Sequence, residues 1–440
     1  MVRNMELKHL MKNAGIIGAG GAGFPSYAKL AEGADTLLIN GAECEPLLYT
    51  DYMILKRELS TVLTGINAVL DGTGIARAVL AVKAHTAKRL SYSDDERLDE
   101  RITVKVLPDI YPIGDEVSLI YESLGRLVNP ASLPITVGVI VYNVETMYNL
   151  GRAIRRSEPV IDKWITVGGD IDRAIVTRVP LGTPIEELFA ELGIEVDEDH
   201  TVIDGGPSMG KIVNHTRASV TKTTKGILIL PNNIQAIEAK KINEKMAVAR
   251  AETACCQCTR CTDMCPRALL GYPLEPHKMV RTAMQAAVTL PQMVISATLC
   301  CGCGICESLA CSQGISPKAV INNYKAVLAK NGMRFMTRRG TEVTPEREWR
   351  MIPSEKWMAT LGVARFDKLP TYIGELNNFT RVELSLNKHI GAPSIPTVRD
   401  GDFVKRGELV AESADGLSVP QHASMDGRVT IGHRKIIIDR

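Results

Sequence analysis

Ten of the eleven cysteines in this 440-residue chain lie between Cys255 and Cys311. The first set reads Cys255-x2-Cys258-x2-Cys261-x3-Cys265-Pro266, and the second reads Cys300-x2-Cys303-x2-Cys306-x4-Cys311. Three thiolates two residues apart wrap one [4Fe–4S] cubane within a single turn. The fourth, followed by Pro, leaves on a helix and ligates the other cluster. The spacing therefore predicts crossed ligation: Cys255, Cys258, Cys261 and Cys311 on a first cluster, and Cys300, Cys303, Cys306 and Cys265 on a second. The second set has one extra residue and lacks the Pro, so Cys311 sits furthest from the pattern. CxxC pairs also serve zinc, but eight thiols in two CxxCxxC sets, one ending in Cys-Pro, favour clusters. Cys256 and Cys301 read as small buried neighbours of the clusters, Cys44 as a packing thiol. The histidines show no metal spacing.

A formal net charge of +2 sets up no field that would recruit nucleic acid or a membrane surface. The segment Met1–Glu6 has no signal-type apolar run, and Ile135–Tyr142 is far below the ~18–20 residues that span a bilayer. These features predict a chain without a membrane span on the cytoplasmic side, where thiols stay reduced and available to metal.

The length suggests about three or four units. Leu7, Leu10 and Met11 share one face of a helix over 5–13, a Gly-rich turn follows at 15–23, and 25–32 reads as a helix. Apolar strands at 36–40, 76–83, 103–107 and 136–142 alternate with helical patterns at 51–70 and 115–127, which predicts an α/β domain over 1–160. Lys163–Gly168, Ala174–Val179, Ile185–Leu192 and Thr201–Gly206 predict a small α+β module over 161–235, set apart by the charged stretch Arg152–Glu158. Residues 236–325 read as helical around the cysteines, and 326–375 as an unassigned linker. From 376 to 440, short strands alternate with turns such as Arg399–Asp402 and Met425–Gly427, predicting a β-sandwich or barrel.

Gly18-Ala19-Gly20-Gly21-Ala22-Gly23 satisfies G-x-G-x-x-G, with Glu43 about twenty residues on. A Rossmann loop follows a buried strand, whereas this one follows a helical pattern, so the Rossmann dehydrogenase reading with structural zinc is disfavoured. Side-chain-free backbone still lets N–H groups approach a phosphate or a flat ring. Beyond it, Asn40-Gly41-Ala42-Glu43-Cys44-Glu45-Pro46 places two carboxylates and an amide just after a strand. Such a loop suits hydrogen bonding to a ribose or an amide, and it also suits plain solvation.

Gly18–Leu30 and Leu38–Asp51 resemble the flavin-site segments of the NADH-binding subunit of respiratory complex I and of RnfC-type electron-transport subunits. Tyr111–Glu116 and Tyr142–Thr146 continue the resemblance in the same order. The module ending in Asp204–Gly210 is similar to that family's β-grasp (SLBB) region, and Arg381–Asp439 to the RnfC barrel-sandwich hybrid. With the sandwich last and the clusters before it, the order resembles the PduS-type cobalamin reductases of propanediol-utilisation microcompartments more than RnfC. The resemblance implies a multidomain α/β protein: a Rossmann-like FMN/NADH domain, a β-grasp module, a helical two-[4Fe–4S] ferredoxin-like module and a C-terminal barrel-sandwich.

It further implies that FMN rests on Gly18, Gly20, Gly21 and Gly23, with Lys29 at its phosphate or ring and Asn40, Glu43, Gly114, Asn143 and Thr146 along its edges. NADH would stack near Phe24, with Glu45 and Glu116 at its ribose and amide. Ala42 and Asp115 depart from the complex I pattern, and they bear on the choice between NADH and NADPH. The implied function is electron transfer from NADH through FMN and two clusters to cobalamin. Implied partners are an adenosyltransferase and microcompartment shell proteins, in a cytoplasmic location inside the microcompartment. No lysine stands at the Ser424–Gly427 hairpin tip, which argues against a swinging-arm carrier. The alternative is an electron-wiring subunit that serves a protein partner and has no substrate site of its own.

Overall fold

The computed structural model describes residues 2–284, 291–336 and 340–440. Residues 285–290 of the expected helical stretch and 337–339 of the unassigned linker lie outside the described residues.

The apolar run at 36–41 forms β1 (Thr36–Gly41), in which Leu37, Leu38 and Ile39 are fully buried. Burial on both faces is what a central parallel strand requires. It is followed by β2 (Arg77–Lys83), β3 (Arg97–Asp99), β4 (Ile102–Leu107), β5 (Ile110–Tyr111) and β6 (Val139–Asn143). All but β5 form one sheet in the order β3-β4-β2-β1-β6, parallel except at the β3 edge. Around it lie α1 (Val2–Asn13), α2 (Thr50–Thr73), α3 (Ala84–Leu90), α4 (Glu116–Leu124) and α5 (Val144–Arg156). Helices α2 and α5 touch backbone to backbone. A Cβ on Gly65 would lie 2.0 Å from the Met147 carbonyl oxygen, and one on Gly151 2.0 Å from that of Thr61. The helix expected over 25–32 is only a 3₁₀ turn, Ser26–Lys29, held between Pro25 and the turn at Gly33.

Arg152–Glu158 is not a boundary, contrary to its charged appearance. Arg152 belongs to α5, is buried, and donates to Asp162 at 2.6 Å and to Glu158 at 2.8 Å. Asp162 opens the second sheet, so the charges join the two sheets.

That second sheet contains β7 (Asp162–Gly169), β8 (Ile175–Pro180), β9 (His200–Asp204), β10 (Lys211–Ile212) and β11 (Gly226–Pro231). Helix α6 (Ile185–Leu192) covers one face, where Ile185, Leu188 and Phe189 meet Ile165, Val167, Ile227 and Ile229. The cysteine region follows as α7 (Gln235–Lys241), α8 (Glu244–Ala254), α9 (Arg260–Asp263), α10 (Pro266–Leu269), α11 (Pro276–Met284), α12 (Pro291–Ile295) and α13 (Pro317–Lys330). Pro stands in the first turn of α10 and α13, where its missing N–H costs nothing.

The unassigned stretch is a return path. Its β12 (Ile352–Pro353) pairs with β5, α14 (Ser354–Leu361) packs Trp357 against Tyr111, and β13 (Thr371–Glu375) joins the second sheet beside β8. The chain ends in two small sheets. One holds β14 (Arg381–Ser385), β16 (Phe403–Val404), β19 (Gly427–Gly432) and β20 (Lys435–Asp439). The other holds β15 (Ile395–Pro396), β17 (Leu409–Glu412) and β18 (Gln421–His422). Val382, Leu384, Val410, Met425 and Ile436 of these sheets share one core with Leu37, Ile39 and Trp164. No described helix is long and apolar enough to cross a membrane.

Candidate functional site

The glycine run lies at the carboxyl edge of β1 and β6, the place where open parallel sheets bind ligands. It forms a lasso. Gly18 N–H donates to the Phe24 carbonyl at 2.8 Å, and Gly23 N–H donates to Gly18 at 3.2 Å. Gly21, with φ of +101°, turns the tip and has no atom within 4 Å of a Cβ position, so the tip is open above. Beneath it, Ala19 N–H donates to Thr146 Oγ1 at 3.1 Å, and a Cβ on Gly20 would only touch Asn143, at 3.6 Å.

Asn40 donates to the Gly114 carbonyl at 3.0 Å and accepts from Ala42 N–H, tying the end of β1 to the 111–116 loop. Asn143 caps α5 through Glu145 N–H and donates to Asp51 at 2.8 Å. Lys29 donates to Glu116 at 2.9 Å and to the Val141 carbonyl at 3.1 Å. Thus Gly18, Gly20, Gly21, Gly23, Phe24, Lys29, Asn40, Gly114, Glu116, Asn143 and Thr146 are drawn together by these elements.

The two remaining acids stand in different settings. Glu43 accepts from Thr50 N–H, Thr50 Oγ1 and Asp51 N–H at the start of α2. Burial, with the Asp51 carboxylate beside it, pushes Glu43 up to about 7. Glu45 turns to the 205–210 loop instead, where its two oxygens accept from Ser208 N–H at 2.9 Å and Met209 N–H at 3.1 Å. Its carboxylate is therefore committed to backbone, and burial raises its proton affinity. Cys44 packs between the strand end and Gly114, as a packing thiol should, and burial pushes it up to about 12.

Beneath the lasso lies a buried ionic cluster that motif reading did not find. Lys163 of β7 donates to Glu145 at 2.5 Å; Lys225, just before β11, donates to Asp51 at 2.5 Å and lies 3.3 Å from Glu145. Buried charges persist only when paired and hydrogen-bonded, so this cluster fixes the second sheet against the floor of the bed. The available signal was a lysine placed at the head of each apolar strand, Lys163 before Trp164–Val167 and Lys225 before Gly226–Leu230.

The cysteines divide into two groups. Cys265 lines one cavity with Cys300, Cys303 and Cys306, together with Cys301, Arg267 and Lys318. The neighbours that act on the Cys261 thiol are Cys311, Cys258 and Cys255. Among the described residues no three His, Cys, Asp or Glu side chains converge on a point that one metal ion could occupy. Thiols spread around a cavity suit a cubane, whose four irons each take one. Burial pushes Cys261 and Cys265 up to about 12 and Cys300 to about 11, so these groups stay thiols until metal binds. Cys301 is half-buried in the cavity wall, whereas Cys256 is exposed and not the buried neighbour expected.

The cavity and the bed touch. Tyr111 Oη donates to the Cys303 carbonyl at 2.7 Å, and Arg267, two residues after Cys265, pairs with Asp115 at 2.7 Å. Lys318 on the cavity wall pairs with Glu307 at 3.0 Å and donates to the Ser208 carbonyl at 3.1 Å, while Trp357 donates to Ser208 Oγ.

Known proteins match this layout segment by segment. Residues 11–152 match the Nuo51 FMN-binding domain, 254–316 a 4Fe-4S dicluster domain, and 369–437 the RnfC barrel sandwich hybrid domain. Together they define the class as an iron–sulfur flavoprotein. The cobalamin reductase PduS of Salmonella typhimurium is 36% identical over 97% of this chain and 94% of its own length, and that of Citrobacter freundii is 36% identical over 96% and 94%. An ion-translocating oxidoreductase complex subunit of Rhodobacter capsulatus is 32% identical over 61% of this chain and 51% of its own. The chain belongs to the cobalamin reductase PduS family. A solved NAD+-reducing [NiFe]-hydrogenase, in its air-oxidized state, overlaps 83% of this chain and 68% of its own at 18% identity and a TM-score of 0.46.

Proposed function

We propose that this protein is a cobalamin reductase that takes electrons from NADH at FMN and passes them through two [4Fe–4S] clusters to the cobalt of cobalamin. The observation that carries the route is the 110–116 segment, which closes the glycine bed through Gly114 and reaches the second cysteine cavity through Tyr111 and Asp115. Support for cobalamin as acceptor is the relation to the reductases along 97% of the chain. The ion-translocating subunits match only about 61% of it, so a wiring role is the weaker reading.

Bound FMN would accept a hydride and release single electrons, which the clusters relay one at a time. The chain's own residues set the positions. Gly18, Gly20, Gly21 and Gly23 would present backbone to the flavin, with Asn40, Glu43, Gly114, Asn143 and Thr146 at its margin and Lys29 at its phosphate or ring. Phe24 and Glu116 would meet the nicotinamide nucleotide. Glu45, committed to Ser208 and Met209, would instead hold the 205–210 loop between bed and cavity. Cys265, Cys300, Cys303 and Cys306 would hold the cluster nearer the flavin, and Cys255, Cys258, Cys261 and Cys311 the outer one, whose neighbour Cys256 is exposed.

The second sheet, with β11 parallel to β7 and α6 packed across it, supports a β-grasp (SLBB) assignment for 161–235. The other proposed units are 1–160, 236–325, 326–375 and 376–440. An adenosyltransferase and microcompartment shell proteins are the proposed partners, and the microcompartment interior is the proposed location.

Anaerobic stopped-flow absorbance with NADH tests the route. Flavin bleaching should precede cluster bleaching, and cobalamin reduction should follow. In flavin-free Gly20→Val protein NADH should bleach nothing, while dithionite still reduces the clusters. Cluster reduction by NADH at an unchanged rate in that variant would remove FMN from the route.

A further inference from the structure

Arg267 is placed where two parts of the electron route meet, and its bonding is incomplete. Its Nη2 donates to Asp115 Oδ1 at 2.7 Å, and its guanidinium lies over the Tyr272 ring, 5.3 Å from the centroid. Its Nε–H is buried and has no hydrogen-bond partner among the described residues. The side chain forms part of the wall of the cavity ringed by Cys265, Cys300, Cys303 and Cys306. A buried charged donor left unpaired is costly, and native proteins almost always give such a group a partner. The acceptors that suit this cavity are the sulfurs of a cluster.

We propose that Arg267 donates its Nε–H to a sulfur of the second cluster, and that the cluster's potential is set by the balance between this bond and the Asp115 pair on the flavin-side loop. This rests on the reading that the four cysteines hold a [4Fe–4S] cluster. A cluster gains one negative charge on reduction, and a cationic donor stabilises the reduced form more than the oxidised one. Hydrogen bonds to the sulfurs and nearby charge are two of the main controls on cluster potential. Asp115 opposes that effect because it neutralises the same guanidinium. Arg267 is then a positioning and tuning residue, acting through the cluster's electronics rather than on substrate. Lys318 supplies the second cation of the wall, but its charge is already matched by Glu307 at 3.0 Å.

The test is an EPR-monitored potentiometric titration of the holoprotein, wild type against Arg267→Met, Arg267→Lys and Asp115→Asn, with iron and acid-labile sulfide measured on each. Arg267→Met should lower the ratio of reduced to oxidised second cluster about tenfold at a fixed potential, equivalent to about 59 mV for one electron. The first cluster should not move. Arg267→Lys, which keeps the charge and loses the fork, should fall between. Asp115→Asn should shift the second cluster the opposite way, and Asn still caps α4. A purely structural role would move the two positions together, as loss of iron or broadened signals. An unshifted midpoint in Arg267→Met with iron content intact overturns the proposal. Wild-type protein without iron and sulfide overturns the cluster reading beneath it.

Discussion

Gly20 and Gly21 are neighbours at the tip of the lasso, yet they answer different questions. Gly21 has φ of +101°, so any side chain there strains the backbone whether or not flavin is present. Gly20 has no such constraint, and a Cβ there meets Asn143 at an ordinary 3.6 Å. Gly20→Val should therefore change the stability of the flavin-free protein by no more than about 0.5 kcal/mol. It should also prevent FMN from surviving gel filtration, as seen by absorbance near the flavin band. Glu43 adds a pH signature. Its folded-state affinity for a proton, raised from 4.5 to about 7, exceeds that of the unfolded chain. The stability it contributes is complete below about pH 4.5 and lost as pH rises through 7. Between pH 5 and 7 the wild type should lose on the order of 2 kcal/mol more than Glu43→Gln, read as the difference between their urea midpoints. Parallel curves would show that Glu43 titrates normally.

Among the elements, α10 has the most direct consequence. Cys265 caps it, Pro266 opens it, and together they carry the fourth thiol of the first motif into the cavity of the second. Cys265→Ala should therefore erase the EPR signal of the cluster on Cys300, Cys303 and Cys306 while sparing the other. The reverse pattern would show uncrossed ligation. This much could be read from spacing, because covalent ligand geometry is local and insensitive to the rest of the fold. The central strands β1, β2, β4 and β6 were legible for a similar reason, since burial on both faces leaves unbroken apolar runs. Strands β12 and β13 were not. The first has two residues, the second is half-exposed, and their partners Tyr111 and Ile175 lie about two hundred residues earlier. No local period encodes such a pairing. Lys163 and Lys225 were missed because each looks like a solvated charge until the other sheet buries it. Glu45 was assigned to nucleotide because the Ser208 and Met209 N–H groups that claim it are invisible in one dimension.

At the scale of the molecule, the units are stitched rather than strung. Asp162 of the second sheet faces Arg152 of α5, Arg178 of β8 and Arg406 of the C-terminal sandwich. The sandwich also braces the lasso from behind: Ile390 N–H donates to the Gly23 carbonyl at 2.9 Å, and buried Lys222 bridges the carbonyls of Gly15 at 2.9 Å and Pro420 at 3.1 Å. That brace imposes a timetable on biogenesis. At roughly 5–20 residues per second, the ribosome delivers Ile390 some 20–70 s after Gly23, with every cluster cysteine emerging in between. Iron–sulfur donors thus meet their thiols while the flavin bed still lacks its backing. Ribosome-bound chains arrested near residue 375 should accept iron and sulfide but retain no FMN, and release of the full chain should restore it. Flavin retained by the arrested chains would mean that the bed matures without its brace. On the expected outcome, a cell short of iron would accumulate finished chains holding flavin and no clusters, able to take a hydride and unable to pass it on.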